Sequence, residues 1–318
     1  MNRIPTLSLA IFVLVGCGQA QLPVKKARNP VAAEPETLLE ARKGFQSKLV
    51  DRGGDRTPVP NPPANLFRLV KYDAAVGQLP AYLSPAPKDG KKGPAIIWIT
   101  GGDCNSIDDG CWTEGPPAND QSASAYRKAG IAMMFPSLRG GNDNPGKKEG
   151  FLGEVDDVLA AADFLAKQDY VDPKRIYLGG HSTGGTLVLL VAECSDRFRA
   201  VFSFGPVDDV RGYGPEYLPF DVSNQTEIDV RSPRGWLATI KNPTFVFEGT
   251  VEGNYDCLKI MAKASKNPKA FFIPVQRANH FSLLASTNRL IAAKIKGDDG
   301  PECNLSFTEK EVSDRLMR

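Results

Sequence analysis

The stretch Arg175-Ile176-Tyr177-Leu178-Gly179-Gly180-His181-Ser182-Thr183-Gly184-Gly185-Thr186 decides how this chain is read. An apolar, strand-like run enters it, and a helix-like run, Thr186 to Cys194, leaves it. Between them lies Gly-x-Ser-x-Gly. Glycines two residues either side of Ser182 let the backbone turn sharply with no Cβ to clash, so Oγ stands clear of the turn. A strand, a glycine-bounded serine and a helix in that order describe a nucleophile elbow. The competing reading is a Gly-rich turn whose serine only caps the helix.

Outward from the elbow, strands and helices alternate. Strand-like runs are Leu66–Tyr72, Gln78–Leu83, Ala95–Ile99, Ile131–Phe135, Arg175–Leu178, Ala200–Phe204, Thr244–Phe247 and Ala270–Pro274. The last six are short and apolar, as parallel strands covered on both faces should be. Helical patterns fall at 121–129, 155–165, 185–194, 232–240, 255–264 and 281–296. Two early strands and six strand-helix units predict an α/β class with a mostly parallel, eight-stranded, doubly wound sheet flanked by helices.

A serine hydroxyl needs a neighbouring imidazole to take its proton. The chain has two histidines. His181 sits inside the elbow, where it reads as a packing or hydrogen-bonding residue. His280 lies in a loop between the last strand and the C-terminal helical pattern, and it is the candidate base. The acid is expected between Ser182 and His280, past the strand Thr244–Phe247, where the chain reads Glu248-Gly249-Thr250-Val251-Glu252.

From Ile131 to Leu290 the chain resembles the catalytic domain of the prolyl oligopeptidase and dienelactone hydrolase group of α/β-hydrolases. That group ends the corresponding strand in His-Gly-x-x-Asp. Matching residue by residue puts Glu248 on the His, Gly249 on the Gly and Glu252 on the acid, so the resemblance implies a triad Ser182, Glu252, His280. Asp256 and Asp208 are the rival carboxylates. The oxyanion donors are expected to be the N–H groups of Thr183 and Gly102. Gly102 lies in Thr100-Gly101-Gly102-Asp103, which is similar to the group's His-Gly-Gly-Pro turn. Asp103 departs from it, and a turn-capping role suits a carboxylate there. Pro136-Ser137-Leu138-Arg139-Gly140-Gly141 resembles the group's Asn-x-Arg-Gly-Ser-like turn, where Arg139 is expected to hold a carboxylate beneath the site.

The N-terminus reads as an export signal: Met1-Asn2-Arg3, then a short apolar run to Val15. Leu14-Val15-Gly16-Cys17 resembles a bacterial lipobox, which implies lipid attachment at Cys17 and a place in the cell envelope, on the periplasmic side of the outer membrane. The alternative is an ordinary leader cut after Ala20. Residues 1–16 are then signal, 17–63 a Pro- and charge-rich tether with a helix near 38–49, and 64–318 the catalytic domain. Export suggests disulfides, with Cys104 and Cys111 as one candidate bridge and Cys257 and Cys303 as another; spacing leaves the pairing open. Cys194 is expected as a free thiol.

The 318 residues carry a formal net charge of +2 with no basic stripe, which argues against a nucleic-acid partner. No metal-ligand spacing or cofactor motif occurs. The group's peptidases carry a β-propeller, and only a short segment and two strands precede the sheet here. The expectation is therefore a serine hydrolase acting on a small-molecule acyl ester, with an amide or peptide second. The same triad would serve an acyltransferase, and a non-catalytic binding or scaffold module is the alternative of another class. Specificity is expected from the loop Cys104–Pro117, with Trp112, and from Gly205–Arg231, with Tyr213, Tyr217 and Phe220.

Overall fold

The computed structural model describes residues 36–50, 56–87 and 90–316, so Cys17 and the export signal lie outside the described residues. Eight strands form one sheet: β1 (Arg68–Ala74), β2 (Gly77–Leu83), β3 (Gly93–Ile99), β4 (Ala132–Pro136), β5 (Val171–His181), β6 (Val201–Phe204), β7 (Thr244–Gly249) and β8 (Ala270–Val275). Their order across the sheet is β1-β2-β4-β3-β5-β6-β7-β8. β2 runs antiparallel to both β1 and β4, and every pairing from β4 to β8 is parallel. The six parallel strands are the apolar ones, and β3, β4, β6 and β7 are almost wholly buried, because helices cover both faces.

The helices are α1 (Leu38–Arg42), α2 (Ala125–Lys128), α3 (Glu154–Ala166), α4 (Thr183–Cys194), α5 (Gln225–Asp229), α6 (Tyr255–Ala264), α7 (Leu283–Lys296) and α8 (Glu309–Arg315). Side chains of α3, α4 and α6 share one core layer with Ile97, Leu178 and Val246. Those of α2, α7 and α8 share the other with Trp98, Tyr177 and Phe245. Alternate residues of each strand thus serve opposite layers, and each fully buried aliphatic or aromatic side chain contributes roughly 1.5–3 kcal/mol. Strand order reverses between β4, β3 and β5, which opens a crevice at the carboxyl end of β5, where Ser182 stands.

Three expectations are corrected. The helix expected over 232–240 is a pair of 3-10 turns, Pro233–Gly235 and Leu237–Thr239. Within the segment read as a tether, the described residues 36–50 and 56–63 belong to the same compact unit as the sheet. Its helix stops at Arg42, whose guanidinium donates to the carbonyls of Phe151, Leu152 and Val230. Beyond it the chain is extended: the Val50 N–H donates to the Pro219 carbonyl at 2.8 Å, and Leu49 bridges Phe220. Finally, Cys104, Cys111, Cys257 and Cys303 are all free thiols. Cys104 lies in the layer of α3 and α4 and Cys111 in the layer of α2 and α7, so the sheet separates them. Cys257 sits beside Asp208, whereas Cys303 sits beside Asp298. Cys194 is unpaired as expected.

Candidate active site

Ser182 follows the last residue of β5 and is the N-cap of α4, with φ 57° and ψ −115°. A side chain held there costs on the order of 1–3 kcal/mol and persists only where the surroundings over-determine it. They do: the Ser182 N–H donates to the Phe204 carbonyl at 2.7 Å, and the Ser182 carbonyl accepts from Thr186 N at 2.9 Å. Tyr213 adds a third tie, its hydroxyl donating to the same carbonyl at 3.2 Å. The serine is a strained, clamped side chain at a helix start, and no side-chain hydrogen bond caps the helix.

His280 follows β8 in the turn that leads to α7. Its Nδ1 lies 2.8 Å from Glu248 Oε2. A carboxylate only accepts, so Nδ1 carries the proton and Nε2 keeps its lone pair. Among the described residues that Nε2 has no hydrogen-bond partner, which leaves it available to a serine hydroxyl. Glu248 is the penultimate residue of β7 and is fully buried. Its other oxygen accepts from the Gly249 N–H at 2.7 Å, and the Asn254 N–H approaches Oε2 at 3.4 Å.

The carboxylate expected at Glu252 is not the one His280 meets. Glu252 is exposed at φ 68° in the turn after β7. The backbone of that turn, not its carboxylate, faces the imidazole: a Cβ built on Gly253 would stand 2.8 Å from the His280 Cβ. The rivals are engaged elsewhere, Asp208 with Arg234 at 2.9 Å and exposed Asp256 with Lys259 at 2.6 Å. Space under the His280 ring comes from Gly205 at φ 60°, where a Cβ would collide with the ring and lie 2.6 Å from Glu248 Oε2.

His181 has a defined place. It is buried, its Nε2 donates to the His280 carbonyl at 2.9 Å and its Nδ1 faces the Gln121 amide at 3.0 Å. The two imidazole centroids are 4.6 Å apart. Burial, reinforced by the neighbouring His280, pushes His181 down to about 3, so it stays neutral at ordinary pH.

Thr183 is the first residue of α4, so its N–H has no partner within the helix. Gly102 lies opposite at φ 72°, and its carbonyl accepts from Thr183 Oγ1 at 2.9 Å, which ties the two turns together. Asp103 is turned away from them, accepting from Ser106 Oγ at 2.6 Å and pairing with Lys148 at 2.8 Å. Arg139 does what was expected of it, gripping Asp157 through Nε at 2.9 Å and Nη2 at 2.8 Å. Of the residues predicted from sequence, Ser182, Thr183 and Gly102 meet at the carboxyl end of β5, and His280 stands against His181, the residue before Ser182. Glu248 and Gln121 were missed. A carboxylate closing the apolar run Phe245-Val246-Phe247 was the available signal, since a buried charge requires a partner.

Residues 118–251 match the model of the prolyl oligopeptidase family. The chain is 34% identical over 89 residues to the dual function macrocyclase-peptidase POPB of Galerina marginata, an alignment covering 26% of this chain and 12% of that protein. It is 30% identical over 108 residues to the uncharacterized peptidase YuxL of Bacillus subtilis, covering 30% and 16%. The chain thus spans less than a fifth of the length of these curated relatives. Among solved structures, a Mycobacterium tuberculosis puromycin-hydrolyzing peptidase superposes with a TM-score of 0.60 at 18% identity, over 78% of this chain and 41% of that one. A Pyrobaculum calidifontis esterase gives 0.53 at 17% identity, over 74% and 86%. The fold is that of the α/β-hydrolases.

Proposed function

We propose that this α/β-hydrolase-fold protein is a serine hydrolase that cleaves a carboxylic ester through an acyl-enzyme. The observation that carries the reading is the 2.8 Å contact between His280 Nδ1 and the buried Glu248 carboxylate, taken with a serine clamped at positive φ. In acylation, His280 Nε2 takes the Ser182 proton as Oγ attacks the acyl carbon. Glu248 balances the imidazolium that forms. The developing oxyanion is held by the N–H groups of Thr183 and Gly102, and His280 then protonates the departing alcohol. Water repeats the sequence on the acyl-enzyme and frees Ser182.

Amide or peptide cleavage by the same groups is the second reading, favoured by the match of residues 118–251 to a family named for a peptidase. We further propose that Cys17 is lipid-modified and holds the protein at the cell envelope; the support is the Leu14-Val15-Gly16-Cys17 pattern behind a short apolar run. Labelling by a fluorophosphonate probe tests the chemistry. The wild-type protein should be labelled and Ser182→Ala should not, and a label that survives the substitution would sink the mechanism. A panel of acyl esters against aminoacyl amides then separates the two readings.

A further inference from the structure

A cleft of about 840 Å³ opens beside the oxyanion turn, with Gly102 and Thr183 at one end. Phe151, Tyr213, Leu218 and Pro219 form one wall, and Leu49 and Val50 of the N-terminal segment form another. We propose that this cleft is the acyl pocket of the hydrolase, that it takes a neutral apolar acyl group, and that Leu49 and Val50 set which acyl groups fit. The inference rests on the serine-hydrolase reading and adds its substrate class.

Three observations support it. First, the leaving group must lie against His280, which returns a proton to it, whereas the cleft is lined by both proposed oxyanion donors, Gly102 and Thr183, and by neither Ser182 nor His280. The acyl arm of a substrate, attached to the same carbonyl, therefore enters the cleft. Second, the polar side chains of the floor are already occupied. Asn105 donates to the Arg139 carbonyl at 2.7 Å, Asn142 spans the Ile107 N–H and carbonyl at 3.0 and 3.1 Å, Asn144 donates to the Leu138 carbonyl at 2.7 Å, and Lys148 is paired with Asp103. The remaining lining is mainly apolar, with Arg56, Asp143 and Lys147 as its other charged members, and a pocket of this size suits a medium-sized or aromatic group. Third, the N-terminal wall is fixed. Besides the Val50 to Pro219 hydrogen bond, Lys48 N and Ser47 Oγ donate to Glu227 at 3.0 and 2.9 Å, and Glu227 is in turn held by the buried Arg231. Val50 and Tyr217 nonetheless remain 44% and 74% exposed at the mouth, apolar surface that a bound acyl chain would cover.

The test compares kcat/KM for p-nitrophenyl acetate, 3-phenylpropionate and succinate, in the wild-type protein and in Val50→Trp and Val50→Ala. The wild-type protein should prefer phenylpropionate to acetate by tenfold or more, given the discrimination a methylene or two supplies in an apolar pocket. Val50→Trp should bring the phenylpropionate-to-acetate ratio close to one, and Val50→Ala should keep the wild-type ratio. Equal use of acetate and phenylpropionate, or a Val50→Trp protein that keeps its preference, would overturn the proposal. So would a preference for succinate, which would give the cleft to Arg56 and Lys147 at its rim. A Val50→Trp protein damaged in folding loses acetate turnover and fluorophosphonate labelling together, and the wild-type ratio and Val50→Ala then decide the matter. Failure of the wild-type protein to be labelled at all is the separate failure of the hydrolase reading.

Discussion

Replacing Glu248 by Gln removes one charge and alters almost nothing else in shape. In the wild-type protein Glu248 Oε1 accepts from the Gly249 N–H at 2.7 Å and Oε2 meets His280 Nδ1 at 2.8 Å. The glutamine oxygen must keep the Gly249 bond, since a backbone N–H only donates, so its NH₂ turns toward the imidazole. Two costs follow. The imidazolium of the transition state loses a partner at about 4 Å between charge centres, about 4 kcal/mol at an effective dielectric of 20, or about a thousandfold in rate. The NH₂ also favours the tautomer with the proton on Nε2, which cannot act as base, and a comparable tautomer change lowers turnover about 10⁴-fold elsewhere. We therefore expect Glu248→Gln to lose roughly 10³- to 10⁴-fold in kcat on a p-nitrophenyl ester, and to slow in fluorophosphonate labelling, with its thermal midpoint little changed. Glu252→Ala, at an exposed turn position, should stay within about twofold. A Glu248→Gln protein within tenfold of the wild type, beside a Glu252→Ala protein disabled a hundredfold, would refute the assignment.

His181 should behave as a positioning residue. His181→Gln retains a donor toward the His280 carbonyl and should keep kcat/KM within about tenfold, whereas His181→Phe, with a ring and no donor, should lose more; equal losses would remove the hydrogen bond from the account. Burial holds His181 near 3 in the folded protein against 6.5 unfolded, so the unfolded chain binds the extra proton. Stability from this residue is therefore lost as pH falls from 6.5 towards 3, and urea unfolding should show the wild type losing more than His181→Gln across that window. Glu193 carries the opposite sign: burial raises it well above 4.5, and neither carboxyl oxygen has a hydrogen-bond partner. The folded protein holds the proton, so stability is lost as pH rises above 4.5 towards the folded-state value. The thermal midpoint of Glu193→Gln should thus gain on the wild type as pH rises above 4.5. A difference that stays constant as pH rises above 4.5 would contradict a protonated Glu193.

Most of the sheet was legible because parallel strands buried on both faces must be apolar, and each such run appeared between turn signals. The elbow was legible for the same local reason, since Gly180, Ser182 and Gly184 fall within five consecutive residues. The carboxylate that meets His280 was not, because its identity depends on where the turn 250–253 points once β7 and β8 are paired. Family spacing chose Glu252, whereas the contact belongs to a residue still inside the strand. The N-terminal segment escaped for a different reason. Leu38 is fully buried and Thr37 and Glu40 form a capping box, yet five helical residues followed by an extended stretch carry too little periodicity to announce a packed element. The disulfide expectation failed because seven residues of separation say nothing about which side of a sheet each end faces.

The unpaired thiols bear on how inhibitors of this protein should be judged. Cys104 lines the cleft, yet it is buried and its thiol is pushed well above the ordinary value, chiefly by burial, so little thiolate exists to react. Cys111 is equally shielded on the far side of the sheet. Maleimides and other alkylating agents therefore have no quick route into the cleft through Cys104 or Cys111, and the partly buried Cys194, Cys257 and Cys303 are the thiols they would meet first. With no cystine among the described residues, the sheet domain should also refold in the presence of reductant.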